Sequence, residues 1–301
     1  MGGVLCYVSS KPHIRFCLYL NHCRRCFFVT ELLFCPFTPP LFCRNDTEKL
    51  PFTLLDGSTQ DSPLMYINYE YGTAIQVANV PALLPNNAQI PCLAVKLMYK
   101  TGEYSAVIAM PQGELGSLSD GKLTLANGVD YAAALSSCRE AVVAGLSPSG
   151  ADGSAASGTA GTTITSGTLE WKLPGDAGVP AIKVWLPRFE VAYETSLVPA
   201  LRALGVTGVF QSGDLTEIAE SPAGESLAVS DVVHKVYVKV DEQGTEAAAV
   251  TGIIAATSMP MAPEPDVLAK FDRPFVFTIV HERTKVVLFA GEMYKPEEWT
   301  E

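Results

Sequence analysis

DEQGTEAAAVTGIIAATSMPMAP, Asp241–Pro263, is the stretch on which the reading of this chain turns. It lies between VYVKV (236–240) and PFVFTIV (274–280), two runs that read as buried strands. Loops inside compact domains are usually far shorter, and a long one without structure of its own tends to be functional or disordered. Disorder fits poorly, because disordered segments are rich in charge and poor in Val and Ile. Written as a strand, the stretch alternates cleanly. One face carries Thr245, Ala247, Ala249, Thr251, Ile253 and Ala255, and the other Glu246, Ala248, Val250, Gly252, Ile254 and Ala256. The first face is small, uncharged and able to be buried. Gly244 stands where a chain that must swing needs free dihedrals. Insertion between two existing strands would satisfy backbone groups that are otherwise solvated. The segment reads as one built to leave the surface.

The surrounding composition bounds the rest. With 301 residues, 48% hydrophobic and 18% charged, the chain is large enough for one big domain or two small ones. A net charge of -11 excludes nucleic acid as an expected partner, since phosphate binding needs clustered Lys and Arg. Charge and cysteine are unevenly spread: residues 1–50 hold six of the eight cysteines and carry net +3, the remainder net -14. In that first segment HCRRC, His22–Cys26, has the spacing of half a zinc knuckle or a redox pair. No second CxxC or HxxxH follows, so neither a metal nor another cofactor is expected. Glu31 and Pro36, Pro39 and Pro40 break the apolar run around them short of the ~20 residues a membrane helix needs. No signal peptide is evident, and the sequon Asn45-Asp46-Thr47 decides nothing by itself.

From about Phe52 the pattern sharpens. FTLLDGSTQDSPLMYINYEY, turning at Asp56-Gly57, and CLAVKLMYKTGEYSAVIAMP, turning at 100–103, read as β-hairpins. Residues 121–146 are alanine-rich with helical spacing and predict one or two surface helices. PSGADGSAASGTAGTTITSGT, 148–168, is a low-complexity insertion too small-residued to build a core. IKVWLPRFEVAYE reads as a strand pair hinged at Leu186-Pro187, and SLVPALRALGV as a helix capped by Ser196 and ended by Gly205. SDVVHKVYVKV alternates from Val232 onward, and PFVFTIV with KVVLFAGEM closes the chain as a hairpin turned at 282–284. The balance predicts an α+β fold with mainly antiparallel sheets.

The run VSDVVHKVYVKVDEQGTEAAAVTG, 229–252, closely resembles the distal hinge of the serpins, the serine protease inhibitor family. There an E-x-G-T-E-A-A-A-x-T pattern precedes the reactive loop. FDRPFVFTIV and LFAGEM resemble the family's closing strands, and VWLPRFEVAYETSLVPALRALGVTGVFQSGDLTEI its strand, helix and G-V-x-x-x-F…D-L segment. LLDGSTQDSPLM and YSAVIAMP match more loosely. The likeness covers most of 51–301, leaving 1–50 as a separate Cys-rich segment, mistranslated or disordered. The family's N-A-x-Y-F-K-G-x-W type strand is not found. The expectation is therefore a serpin C-terminal portion without the N-terminal half, its main sheet incomplete.

The resemblance implies a suicide-substrate inhibitor whose partner is a target serine protease. The protease attacks the loop, forms an acyl-enzyme, and is carried off as the freed loop enters the main sheet. Glu242, Gly244, Thr245, Glu246, Ala247, Ala248, Ala249 and Thr251 match the hinge, with Val250 replacing the usual small residue. Family spacing puts the reactive bond at Ser258-Met259, with Met261-Ala262 as rival. Such a bond suits an elastase-like or subtilisin-like protease. His234 matches the family's shutter histidine. Extracellular residence follows from the resemblance only, as does a monomer whose bare sheet edge invites aggregation.

The second reading is a truncated or non-inhibitory relative, cleaved in the same loop without trapping. A third, an enzyme built on Ser230, Asp231 and His234, is disfavoured. Strand alternation puts Ser230 and His234 on one face and Asp231 on the other, and triads assemble in space, not by adjacency.

Overall fold

The computed structural model describes residues 4–8, 14–19, 42, 44–70, 72–99, 101–119, 121–146, 169–211, 228–242 and 266–300. Contacts divide the chain into two units, Met1–Phe189 with Val240–Glu301, and Glu190–Lys239. The architecture is α+β and rich in antiparallel pairs.

In the larger unit a seven-stranded sheet has the order β1-β2-β13-β12-β7-β6-β5. Its strands are β1 (Val4–Val8), β2 (Ile14–Tyr19), β5 (Ile75–Leu83), β6 (Gln89–Met98), β7 (Tyr104–Pro111), β12 (Phe275–His281) and β13 (Val286–Met293). The expected hairpins β6–β7 and β12–β13 are present, with Val95 opposite Ile108 and Phe277 opposite Gly291. The inner strands read as near-continuous apolar runs because both faces are covered.

One face is covered by α1, Tyr131–Leu146. Tyr131, Ala134, Leu135, Cys138, Val142 and Val143 meet Val80, Cys92, Ala94, Val107, Val276 and Ala290. The expected surface helix over 121–146 is thus a core helix, starting ten residues later than the alanine-rich run. Of its alanines, Ala134 is fully buried in that contact. The Tyr131 hydroxyl also donates to the Pro274 carbonyl at 2.8 Å.

The other face is aromatic. Phe189 packs edge-on against Phe275 at 5.5 Å and tilts onto Phe277 at 5.4 Å, while Phe271 meets Phe275 at 5.7 Å.

A four-stranded sheet, β11-β8-β4-β3, joins β3 (Thr47–Thr53), β4 (Thr59–Tyr69), β8 (Ile182–Pro187) and β11 (Val267–Lys270). The β3–β4 hairpin turns as expected at Asp56-Gly57. Gly57 takes φ 78, and the Asp56 carboxylate accepts the Ser58 amide at 2.9 Å. β11 pairs in parallel with β8, Ala269 opposite Val184, a strand the sequence pattern does not disclose.

Residue 50 falls inside β3. The segment before it, expected to stand apart, supplies β1 and β2, and β2 pairs with β13 at Phe16–Gly291 and Ile14–Met293. The reason is the composition of VLCYV and IRFCLY, β-prone runs that complete the otherwise open edge of β13.

The smaller unit contains most of a two-stranded sheet, β9 (Phe189–Ser196) beside β10 (Val233–Val240). The helix expected from Ser196 is α2, Val198–Ala203, and its N-cap is Leu197. Ser196 sits one residue earlier because its hydroxyl is shared, accepting the Val198 amide at 3.3 Å and donating to Asp231. The chain leaves the helix through Gly205 at φ 87, as expected.

The insertion at 148–168 lies outside the described residues.

Candidate functional site at the base of the 241–263 segment

The described chain of the segment ends at Asp241-Glu242, directly after β10. Gly244, Thr245, Glu246, Ala247, Ala248, Ala249 and Thr251 lie outside the described residues, as do Ser258, Met259, Met261, Ala262 and the His22–Cys26 motif. What the structure places is Glu242, the first residue of the expected hinge pattern, and it is held on both carboxylate oxygens.

The holding begins in the sequence LPRF. Leu186 closes the buried face of β8, and Phe189 opens β9 with its ring inside the aromatic layer, both fully buried. Pro187 pairs with Leu64 at the last rung of β8–β4, and its fixed φ helps turn the chain. The Arg188 amide donates to the Pro63 carbonyl at 3.0 Å. An arginine caught between two anchored apolar residues has little freedom at its Cα, so the direction of its side chain is set by the fold. Arg188 Nε donates to Glu242 Oε2 at 2.7 Å, and Nη2 donates to Oε1 at 2.7 Å. Thr47, the first residue of β3, donates its hydroxyl to the same Oε1.

Glu242 is 6% exposed, so its charge is desolvated and must be compensated. Burial pushes its carboxyl up, but the hydrogen bonds from Arg188 and Thr47 outweigh that and hold it below the usual glutamate range. The same bond raises Arg188 further, against its own partial desolvation. The two-point geometry is the strong form of the guanidinium–carboxylate contact and fixes orientation as well as distance. Its effect is to fasten the entry of the segment to β3 and to the β8–β9 turn.

His234 lies in β10, half-buried, with no hydrogen bond to its ring among the described residues. Asp231 is engaged by Ser196 and by the Val232 amide at 2.8 Å, and no hydrogen bond joins it to Ser230 or His234. Sequence reasoning missed Arg188 and Thr47. The signal for Arg188 was present, a lone cation inside an otherwise apolar turn; Thr47 was read only as part of the sequon.

Residues 162–296 match the family model described as Serpin (serine protease inhibitor). Over that stretch the chain is similar to the serpins. Among curated relatives, Serpin-Z10 of Arabidopsis thaliana is 40% identical over 114 residues, 37% of this chain and 29% of the relative. Leukocyte elastase inhibitor of Sus scrofa is 41% identical over 128 residues, 42% of this chain and 32% of the relative. Neuroserpin of Homo sapiens is 38% identical over 117 residues, 38% and 27%. The matched serpin stretch thus spans about a third of these relatives' length.

The fold agrees over a wider span. The crystal structure of native protease nexin-1 with heparin superposes with TM-score 0.51 at 21% identity, covering 88% of this chain and 54% of that one. No helix among the described residues is long and apolar enough to cross a membrane.

Proposed function

We propose that this chain acts as a serpin-type inhibitor of a serine endopeptidase, with the 241–263 segment carrying its hinge and reactive bond, and is not itself an enzyme. The observation that carries this is the clamp on Glu242. A loop that must enter a sheet after cleavage needs one end that stays fastened, and Glu242 opens the E-x-G-T-E-A-A-A pattern. The protease serine attacks the carbonyl carbon of Ser258, and the amide to Met259 breaks with the new amine taking the proton. The acyl-enzyme is then held on a strand whose alternate residues, Thr245, Ala247, Ala249 and Thr251, are small enough to be buried. The nucleophile is the protease's own. Strand addition by a cleaved loop is the family's known mode.

An elastase-like or subtilisin-like target fits Ser and Met at the proposed bond, and one relative is named as a leukocyte elastase inhibitor. Extracellular action follows from the resemblance. Incubation with a leukocyte-type elastase tests the reading: an SDS-resistant adduct of the two chains is expected, and loop cleavage without one overturns it.

A second reading has an observation of its own. Among the described residues the sheet whose last strand leads into the 241–263 segment has two strands, β9 and β10. An inserted strand needs a partner on each side to satisfy its backbone. With one side bare, the chain would be cleaved as a non-inhibitory relative, and the β10 edge would be open to association between copies. The adduct assay separates the two.

A further inference from the structure

The clamp has a support of its own. Between β13 and the end of the chain, Lys295–Thr300 has no regular secondary structure, yet it is tied to the clamp's surroundings at three points. The Glu297 amide donates to the Arg188 carbonyl at 3.2 Å. The Trp299 amide donates to the Asp61 carbonyl at 2.8 Å. The Gln60 side-chain amide donates to the Pro296 carbonyl at 3.0 Å. Pro296 is buried, and Glu297 and Trp299 are half-buried.

One of these bonds reaches the turn that carries Arg188, and the other two reach the start of β4. The Arg188 amide is already committed to Pro63, so the Glu297 bond takes up that residue's remaining backbone group. The segment therefore bridges Gln60-Asp61 at the start of β4 to Arg188 at the end of β8, laced to both by backbone groups. The Glu297 carboxylate also acts on Arg188 electrostatically, favouring its charged form. A guanidinium held by two directional hydrogen bonds tolerates little displacement of its own Cα. Whatever fixes the Arg188 backbone fixes the clamp.

We propose that Lys295–Thr300 is the positioning element of the loop-base clamp, holding the Pro187–Phe189 turn where Arg188 reaches Glu242. Only the consequence for trapping rests on the inhibitor reading; the coupling between the segment and Glu242 is a property of the fold. A brace of this kind makes the terminal segment a control point. Anything that lifts it, a partner or a modification, loosens the fastened end of the loop without touching the loop.

The experiment is a cross between Glu297→Pro, which removes the amide donor to Arg188, and Glu242→Gln, which removes the clamp's charge. Glu297→Ala keeps the donor and serves as reference. Urea unfolding gives stability, and ¹³C NMR follows titration of the Glu242 carboxyl. The expected result is an excess destabilisation of Glu297→Pro over Glu297→Ala that falls at least about threefold in the Glu242→Gln background, as coupled sites require. The Glu242 titration is expected to move up toward the ordinary glutamate range in Glu297→Pro. An equal excess in both backgrounds, with the Glu242 titration unmoved, would overturn the proposal. If Glu297→Pro does not fold, Gln60→Ala, which removes the donor to Pro296 and to the Ser62 hydroxyl, is carried through the same cross with Ser62→Ala as its reference and the same two outcomes. Adduct formation by the unmodified chain is read separately: its absence counts against the inhibitor reading and leaves the coupling result standing.

Discussion

Arg188 and Glu242, 54 positions apart in sequence, meet through two parallel hydrogen bonds of 2.7 Å, and that contact ties the β8–β9 turn to the root of the proposed loop. Removing Arg188 leaves a buried carboxylate without its ionic partner, and removing Glu242 takes two hydrogen bonds from the guanidinium. Breaking a buried pair costs about 3–5 kcal/mol, and the partial exposure of Arg188 places this one nearer the lower end. Arg188→Ala is expected to lower stability by roughly 2–3 kcal/mol, read from urea unfolding. Arg188→Lys should recover under half of it, because an ammonium cannot reproduce the planar two-point contact. A loss below about 0.5 kcal/mol, the range of ordinary surface substitutions, would mean the contact is ornamental.

The pair also fixes a pH dependence. The Glu242 carboxyl lies below its usual value in the folded chain, despite burial, because of Arg188 and Thr47. A group depressed on folding binds fewer protons in the native state, so its stabilisation is complete above its unfolded pKa of about 4.3. That stabilisation is lost as pH falls through the lower, folded value. The stability difference between the unmodified chain and Glu242→Gln should be flat above about pH 5.5 and shrink steadily below about pH 4.3. Urea midpoints across that range give the curve. A difference that grows on acidification would reverse the sign and remove the clamp as its cause.

How much of this was legible beforehand depended on range. Hairpins joined by short turns were readable because their signals are local: Asp56-Gly57 for β3–β4, and alternation in the residues of β12 and β13. The helix over 131–146 was readable as a helix but not as core. Its alanines say that the helix can approach something closely, and only the seven-stranded sheet says what. β5 and β11 escaped notice because Pro81 and the short run VLAK give weak strand patterns that pairing with β6 and β8 overrides. At the site, Glu242 was visible through a motif in sequence. Arg188 joins it from the β8–β9 turn and Thr47 from β3, and no periodicity encodes a meeting of three separated segments. The tie between Glu297 and Arg188 is a backbone bond and leaves no trace in residue type.

A second buried ion pair holds α1 to β13. Glu292 is fully buried, accepts from Arg139, from Tyr294 through its hydroxyl and from the Ser136 hydroxyl at 3.3 Å. Loss of one partner in such a site is expected to cost about 3–5 kcal/mol, so Glu292→Ala should be among the most damaging polar substitutions in the chain. Tyr294→Phe removes one donor and leaves Arg139 in place, and should cost about 1–2 kcal/mol. Urea unfolding of both variants checks the order. Equal costs would indicate that the carboxylate is not the hub of the network.

The loop itself is tested by charge. Thr245 heads the small-residue face, Thr245, Ala247, Ala249 and Thr251, that the proposed insertion buries first. An arginine there would carry an unpaired guanidinium into a sheet interior, at a cost that exceeds what a few new backbone hydrogen bonds return. Cleavage comes before insertion and needs only an accessible bond. Thr245→Arg is therefore expected to leave the rate of loop cleavage by elastase within about twofold while SDS-resistant adduct falls by at least tenfold, the change that a penalty of about 1.4 kcal/mol against insertion produces when insertion competes with deacylation. Electrophoresis of timed reactions with both proteins measures the two rates together. Adduct retained at full yield would show that the hinge never enters a sheet. A parallel loss of cleavage and adduct would place the effect on protease recognition instead, and the small-faced strand would no longer explain trapping.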